Sequence, residues 1–445
     1  MDDLPVVVVG AGPQGLAAAA HLLERGESPL VLEAGSGAAA AVSEWGHVRL
    51  FSDWSELIDA AAARLLARTG WTQPAKGYPT GAQWISSYLS PLATALGDSV
   101  RYGTRVTGIA RKGRDRLVDA GREEQPFTVH ITDADNNESR IPARAVIDAS
   151  GTWSQPNPAG ADGLPALGER SASGHLSYRI PDFAHPEPFA GKHTIVVGSG
   201  HSAVTAVNEL ARIAKGHPDT RITWVLRRGT VGNTFGGGDA DELPARGALG
   251  VSARQAVGAG LVDLVTGFRV ESVSSAGYGA VLVSEDGREL VAADTVVVLT
   301  GFRPDLSFLS EIRLELDSTL QAPVRIAAEV DPNLHSCGSV QATGAEELAQ
   351  PEAGFYLVGA KSYGRAPTFL AMTGYEQVRS VVAALAGDHA AAARVELMLP
   401  DTGVCGGAGT FDGLRDVSAA CCTPPPALIP LDRAAALRAT PRPGP

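Results

Sequence analysis

No run of about 18 uncharged apolar residues occurs in the 445-residue chain, so no membrane-spanning helix is expected. Cysteine is scarce. Cys337, Cys405, Cys421 and Cys422 are too few and too C-terminal for a disulfide framework, and no two are spaced Cys-x-x-Cys. Positive charge is not in excess either. The 37 basic residues face 49 acidic ones, and the net charge of −12 argues against bulk nucleic-acid binding. Met1-Asp2-Asp3-Leu4-Pro5 is acidic and lacks the basic and apolar regions of a signal peptide. These absences point to a cytoplasmic globular protein. Its 44% hydrophobic content suits a large core, and its length suits two to three domains.

What is present starts almost at once. Val6-Val7-Val8-Val9 reads as a buried strand running into Gly10-Ala11-Gly12-Pro13-Gln14-Gly15. Leu16 to Leu23 then reads as a helix, and Pro29 to Leu32 as a second strand ending in the acid Glu33. Gly10 permits the tight turn, Gly12 lets backbone approach a pyrophosphate, and Gly15 lets helix pack on strand. The helix N-terminus adds N–H donors and a positive dipole end. Glu33 stands at the spacing of a ribose-binding acid. The alternative is an ordinary glycine-rich turn, but strand, helix and acid all stand where a dinucleotide site needs them.

The pattern returns at His193 to Ala203, with Gly198-Ser199-Gly200-His201-Ser202-Ala203 as the turn. Ala203 takes the third place, where a small side chain suffices. Ser199 and Ser202 are short hydroxyls suited to phosphate. The following strand, Arg221 to Leu226, ends in Arg227-Arg228 instead of an acid. Guanidinium groups pair with a 2′-phosphate that a carboxylate would repel, so this turn is suited to NADPH. Solvated surface arginines are the other reading. Two unlike turns in one chain suggest FAD on the first and NADPH on the second.

Between these lie Trp54 to Thr69, read as a helix, and Gln83 to Leu96, read as a helix that Pro91 kinks or breaks. Val100 to Ala110 reads as extended and is centred on Val106. Phe127 to Thr132 and Arg140 to Ile147 read as a hairpin. Strands ending at Ser150-Gly151 and Thr300-Gly301 read as crossings between two nucleotide domains. Gly354 to Gly359 is a further strand-to-glycine entry, and a helix is expected from Pro367. Its N-terminus at Thr368-Phe369 would stabilise negative charge on a reduced flavin ring. The expected architecture is α/β: two Rossmann-like domains, the NADPH domain inserted in a discontinuous FAD domain. The expected bounds are 1–170 and 300–390 for FAD, 171–299 for NADPH, and 391–445 for a flexible Ala/Gly/Pro-rich tail.

This pattern resembles the two-dinucleotide-binding flavoproteins, most closely the flavin-containing and Baeyer–Villiger monooxygenase group. The resemblance rests on Gly10 to Gly15 with Glu33, on His175-Leu176-Ser177-Tyr178, on Gly198 to Ala203 with Arg227-Arg228, and on Thr300-Gly301-Phe302-Arg303-Pro304-Asp305. The linker signature is incomplete: Glu169-Arg170-Ser171 precede His175 where the group carries Phe and Gly. The resemblance implies a monooxygenase-like enzyme using FAD, NADPH and oxygen on a small soft nucleophile or carbonyl. In it, His175 would position NADP or move a proton, and Arg49 would contact flavin or substrate. A linker histidine and a surface ion pair are the plain alternatives.

The vicinal Cys421-Cys422 pair resembles the C-terminal pair of mercuric reductases. Thiolates suit soft metal ions, so Cys405, Cys421 and Cys422 are candidate metal ligands and Cys337 a candidate catalytic thiol. That opens a second reading, an NADPH-dependent reductase of a metal, metalloid or thiol. Incidental thiols are the alternative. A third reading is a non-enzymatic flavin redox sensor. A homodimer is the default assembly, and the partners expected are a small molecule and oxygen, with neither nucleic acid nor membrane.

Overall fold

Val6–Val9 is buried throughout because its side chains alternate between two apolar layers. Val6 and Val8 meet the helices Pro13–Glu24, Ala60–Ala67 and Ala371–Leu385. Val7 and Val9 meet an antiparallel sheet of Arg105–Arg111, Phe127–Thr132 and Glu138–Ala143. A computed structural model describes residues 3–231, 234–241, 243–334, 342–367 and 369–397.

The first parallel sheet has the order Phe355–Leu357, Ala145–Asp148, Val6–Val9, Pro29–Leu32, Val100–Arg101. The second has the order Asp263–Val265, Arg221–Val225, His193–Val197, Thr295–Val298, Leu176–Ser177. Its layers repeat the first lobe. Val196 packs with the helices His201–Gly216 and Pro244–Gly258. Ile195 and Val197 face the hairpin Val270–Ala276 and Gly279–Ser284. Each lobe is therefore helices, parallel sheet, antiparallel sheet. The expected α/β fold is present, and the second lobe interrupts the first, since Phe355 pairs with Val146 across it. The chain leaves and re-enters the first lobe at one place. Asn157 N–H donates to the Gly301 carbonyl at 2.9 Å, and Arg303 N–H to the Gln155 carbonyl at 2.9 Å.

Several local expectations change. Trp54 to Thr69 is two helices, Trp54–Leu57 and Ala60–Ala67, because Ile58 is extended and Asp53 and Asp59 each cap a new start. Pro91 does not break its helix. Gly81–Trp84 passes through a wide π-turn at Ile85–Leu89 into Ser90–Leu96. The Ser87 carbonyl, which loses its usual donor to Pro91, accepts from Trp71 Nε1 at 2.8 Å instead. Val100 to Ala110 divides between two sheets, Val100–Arg101 in the parallel one and Arg105–Arg111 in the antiparallel one. The hairpin's second strand is Glu138–Ala143, while Ala145–Asp148 is a separate parallel strand. The late helix starts at Ala371, four residues beyond Pro367. Among the described residues no helix is long and apolar enough to cross a membrane.

Candidate functional site: two dinucleotide cradles

Each central strand ends at a glycine that only a residue without Cβ can occupy. Gly10 has φ +98°, and a Cβ there would lie 3.0 Å from the Ala149 carbonyl oxygen. Gly198 has φ +132°, and its Cβ would lie 2.2 Å from the Leu299 carbonyl oxygen. At the third position a Cβ on Gly15 would come within 1.9 Å of the Gly10 carbonyl oxygen. In the second lobe Ala203 occupies that place, fully buried. The middle glycines, Gly12 and Gly200, are extended N-caps with nothing within 4 Å of the Cβ position. Neither helix has a side-chain cap, so its leading N–H groups remain for an anion. Open N-caps, close strand–helix approach and uncapped donors fit a dinucleotide at both places.

The two lobes differ in the residues just past their second strands. Glu33 accepts from Ala11 N–H and Gly35 N–H, each at 2.7 Å, which aims its carboxylate at the first turn. The equivalent position in the second lobe is Leu226, not an arginine. Gly10 N–H donates to Leu32 and Gly198 N–H to Val225; Glu33 N–H reaches Arg101 and Leu226 N–H reaches Val265. Arg227 and Arg228 come one and two residues later. Burial, with repulsion from Arg228 and Arg269, holds the Arg227 guanidinium below its ordinary pKa. Arg227 also donates to the Ala161 carbonyl at 2.8 Å, tying the linker to this corner.

Other expected residues gather at the carboxyl edges of the sheets. Gly151 (φ +68°) and Gly301 (φ +95°) mark the two crossings. Gly359 (φ +70°) leaves room for Gln14, whose Cγ would be 2.9 Å from a Cβ there. Gln14 is buried and donates to the Ala371 carbonyl at 3.0 Å, joining the first helix to the start of the last long one. Ser199 is exposed and Ser202 half-buried at the second turn. Val106 lies at a bulge of the antiparallel sheet, opposite Ile131.

The structure does not bring His175 to this edge. It precedes Leu176, which is level with Val296, and so stands level with Thr194 in the sheet. Gly198 is four residues further on, about 13 Å along a strand. Arg49 is exposed and donates to the Tyr78 carbonyl at 2.5 Å. It lines an open cleft of about 400 Å³ with Trp54, Tyr78 and Gln83. Thr368, Cys337, Cys405, Cys421 and Cys422 lie outside the described residues, as does most of the expected tail. Among the described residues no cluster of three His, Cys, Asp or Glu could hold a metal.

Two arrangements escape the sequence. Lys361 and Asp148, both fully buried, form an ion pair of 2.7 Å at the carboxyl edge of the first sheet. They are remote in sequence, and neither belongs to a motif. The second is a set of contacts that one segment of the first lobe makes to the second. Glu44 pairs with Arg179 at 3.0 Å, His47 Nε2 lies 3.0 Å from the Ile180 carbonyl, and the Phe51 ring lies 5.3 Å from that of His201. Burial first, then the Arg246 guanidinium, pushes the His201 pKa down. Burial works to raise Asp241, but hydrogen bonds from Arg246 and the Leu243 N–H hold its carboxyl below the ordinary value. Between the lobes Trp153 stacks on Phe302 at 4.8 Å, with Arg179 4.7 Å from its ring.

Residues 7–329 match the family model described as pyridine nucleotide-disulphide oxidoreductase. The indole-3-pyruvate monooxygenase of Oryza sativa subsp. japonica is 30% identical over 212 residues, 46% of this chain and 45% of that protein. The chain spans about half the length of the first curated relatives it matches. Among solved structures, the bacillithiol disulfide reductase Bdr (YpdA) from Bacillus cereus has a TM-score of 0.64 at 18% identity, over 86% of this chain and 99% of that one. The desferrioxamine-pathway cadaverine monooxygenase DfoA of Erwinia amylovora, bound to FAD, has a TM-score of 0.61 at 13% identity, over 89% and 98%. At these identities the two structures are alike in fold.

Proposed function

The chain belongs to the pyridine nucleotide-disulphide oxidoreductase family, and from that premise we propose that it is an FAD-dependent, NADPH-using oxidoreductase of the monooxygenase type. The observation that carries this reading is the pairing of two open glycine cradles with unlike charge behind them. In the first lobe the N–H groups after Gly12 receive the FAD pyrophosphate, and Glu33 accepts from a ribose hydroxyl. In the second, Gly198 to Ala203 with Ser199 and Ser202 hold the NADPH pyrophosphate, and Arg227 and Arg228 select the 2′-phosphate. Bound together, the two cofactors supply two-electron chemistry that the side chains do not. Arg49, in its cleft beside Trp54 and Tyr78, is the candidate for substrate contact. A small soft nucleophile or carbonyl is the substrate class, with oxygen as co-substrate. We place the enzyme in the cytoplasm as a homodimer.

The test is to mix FAD-loaded protein with NADPH or NADH in aerobic buffer, with and without sulfides, amines or ketones. Reduced-nicotinamide consumption and an added oxygen atom in the product are then followed. NADPH preference with substrate-dependent oxygen incorporation is expected. A flavin that neither nicotinamide reduces would sink the reading.

One sequence feature keeps a second reading in view. The adjacent Cys421-Cys422 pair, with Cys337 and Cys405, suits a reductase of a metalloid or thiol. Serine at Cys421 and Cys422 would then abolish metalloid- or thiol-dependent NADPH use, yet would leave oxygen incorporation untouched if the first reading holds.

A further inference from the structure

The carboxyl edge of the first sheet rests on a polar cluster that neither cradle uses, with Asp148 and Lys361 buried and Ser150 exposed beside them. Asp148 ends the strand Ala145–Asp148 and is in register with Val9, just before Gly10, and with Leu357, two residues before Gly359. Its Oδ1 accepts from Ser150 Oγ at 2.6 Å and from Ser150 N–H at 3.0 Å. Its Oδ2 lies 2.7 Å from Lys361 Nζ. Lys361 Nζ also donates to Ser150 Oγ at 3.0 Å and stands 4.3 Å from the centre of the Phe308 ring. The ammonium is thus flanked by a carboxylate, a hydroxyl and a ring, so the group acts by holding its neighbours.

What it holds is specific. Ser150 precedes Gly151, the first crossing. Lys361 lies in the turn Gly359–Tyr363, whose first residue makes room for Gln14 of the first cradle. Ala149 provides the carbonyl against which Gly10 turns. Three turns at the carboxyl edge therefore meet at one ion pair, and that edge is where open α/β sheets bind ligands. A fully buried ion pair gives little net stability over apolar side chains of the same volume. Its value lies in geometry.

We propose that Asp148, Ser150 and Lys361 are positioning residues for the FAD, fixing the three turns on which the cofactor rests; this stands on the assignment of FAD to the first lobe. The test compares holoprotein of the wild type with the double variant Lys361→Met, Asp148→Asn, which removes both charges at similar volume. FAD release on dilution is read from recovered flavin fluorescence, and the midpoint potential of the bound flavin from dye equilibration. The double variant should bind FAD at least tenfold more weakly. Its two-electron equilibrium should move by tenfold, about 30 mV. NADP⁺ affinity at the second lobe should be unchanged, which shows that the fold is intact. Wild-type FAD affinity and potential in the double variant would overturn the proposal. Should that variant not fold, Ser150→Ala keeps the ion pair and removes the hydroxyl between its partners. A threefold to tenfold faster release is expected there, and a wild-type rate would overturn the proposal equally. Gly12→Val separates the two claims. If it retains FAD, the assignment to the first lobe fails. If it loses FAD while the double variant binds normally, only the positioning role fails.

Discussion

The two lobes share a strand order around their central strands and the same three layers, yet they part at two positions. At the third place of the turn the first lobe has Gly15, with no space for a methyl group, and the second has Ala203, which fits. After the second strand the first lobe has a carboxylate aimed back at its turn. The second has buried Leu226, then two arginines. On the proposed assignment, topology sets where a dinucleotide lies, and a few side chains set which one. The helix of the first lobe is pressed against its strand, while that of the second stands far enough away to accept a Cβ.

The sharpest way to break this comparison is to exchange the third positions. Gly15→Ala drives a methyl into the Gly10 carbonyl. It should cost roughly 3 kcal/mol or more in denaturant unfolding, as overpacking does, and empty the first cradle of flavin. Ala203→Gly should cost only about 1 kcal/mol, the propensity difference in a helix, and leave NADPH use intact. Equal costs would mean that the two helices approach their strands alike.

Next in size is the charge difference. Arg227→Ala with Arg228→Ala should lower kcat/KM for NADPH on the order of 100-fold, as expected when one or two charge-assisted hydrogen bonds of about 1.5–3 kcal/mol are lost. The value for NADH and the flavin content should not change. A parallel fall for both nicotinamides would make these arginines structural, as the Arg227 bond to Ala161 would suggest.

These tests also mark which features were legible in sequence. The turn glycines were, because a backbone that must turn sharply or approach closely leaves only glycine as a choice. The insertion was legible too, because each strand-to-glycine entry repeats. The register was not. Reading Arg227 as the counterpart of Glu33 ignores Leu226, and only the ladder bonds of Gly10 and Gly198 reveal the offset. Lys361 escaped for a different reason. A lysine in a polar stretch reads as surface until the fold lays it on Asp148. His175 carried the linker resemblance, but the direction of its strand sets it at the far end of the sheet.

A smaller effect concerns the contact between lobes. Unfolded, His201 protonates near its ordinary pKa of 6.5; folded, burial and Arg246 hold its pKa lower, while Asp241 pulls the other way. Between the two values the unfolded chain binds more protons, so stability is present above pH 6.5 and declines as the pH falls through that window. Thermal unfolding of His201→Gln should lose that slope, and the first lobe supplies no matching group at its own turn. An unchanged slope would assign it elsewhere.

The smallest effect is at Ala39. It is left-handed at φ +55°, is buried, and donates its N–H to the Ala11 carbonyl. This loop returns to the first turn. In the second lobe Trp224 Nε1 reaches the Gly198 carbonyl at 2.7 Å instead. Ala39→Gly relieves the left-handed strain and should raise stability by roughly 0.5 kcal/mol once glycine's own entropy is subtracted. A loss would show that the methyl's packing outweighs the strain.

The interruption of the first sheet also governs how the chain is made. Ala145–Asp148 leaves the ribosome about 200 residues before its neighbour Phe355–Leu357. At roughly 5–20 residues per second, its apolar edge waits for some 10–40 seconds, long enough for the second lobe to be completed first. Through that interval Asp148 stands at the end of the strand's uncovered edge, an acidic side chain of the kind that discourages edge-to-edge association. Lys361 emerges only four residues after Leu357, so the edge strand and the ion pair close together.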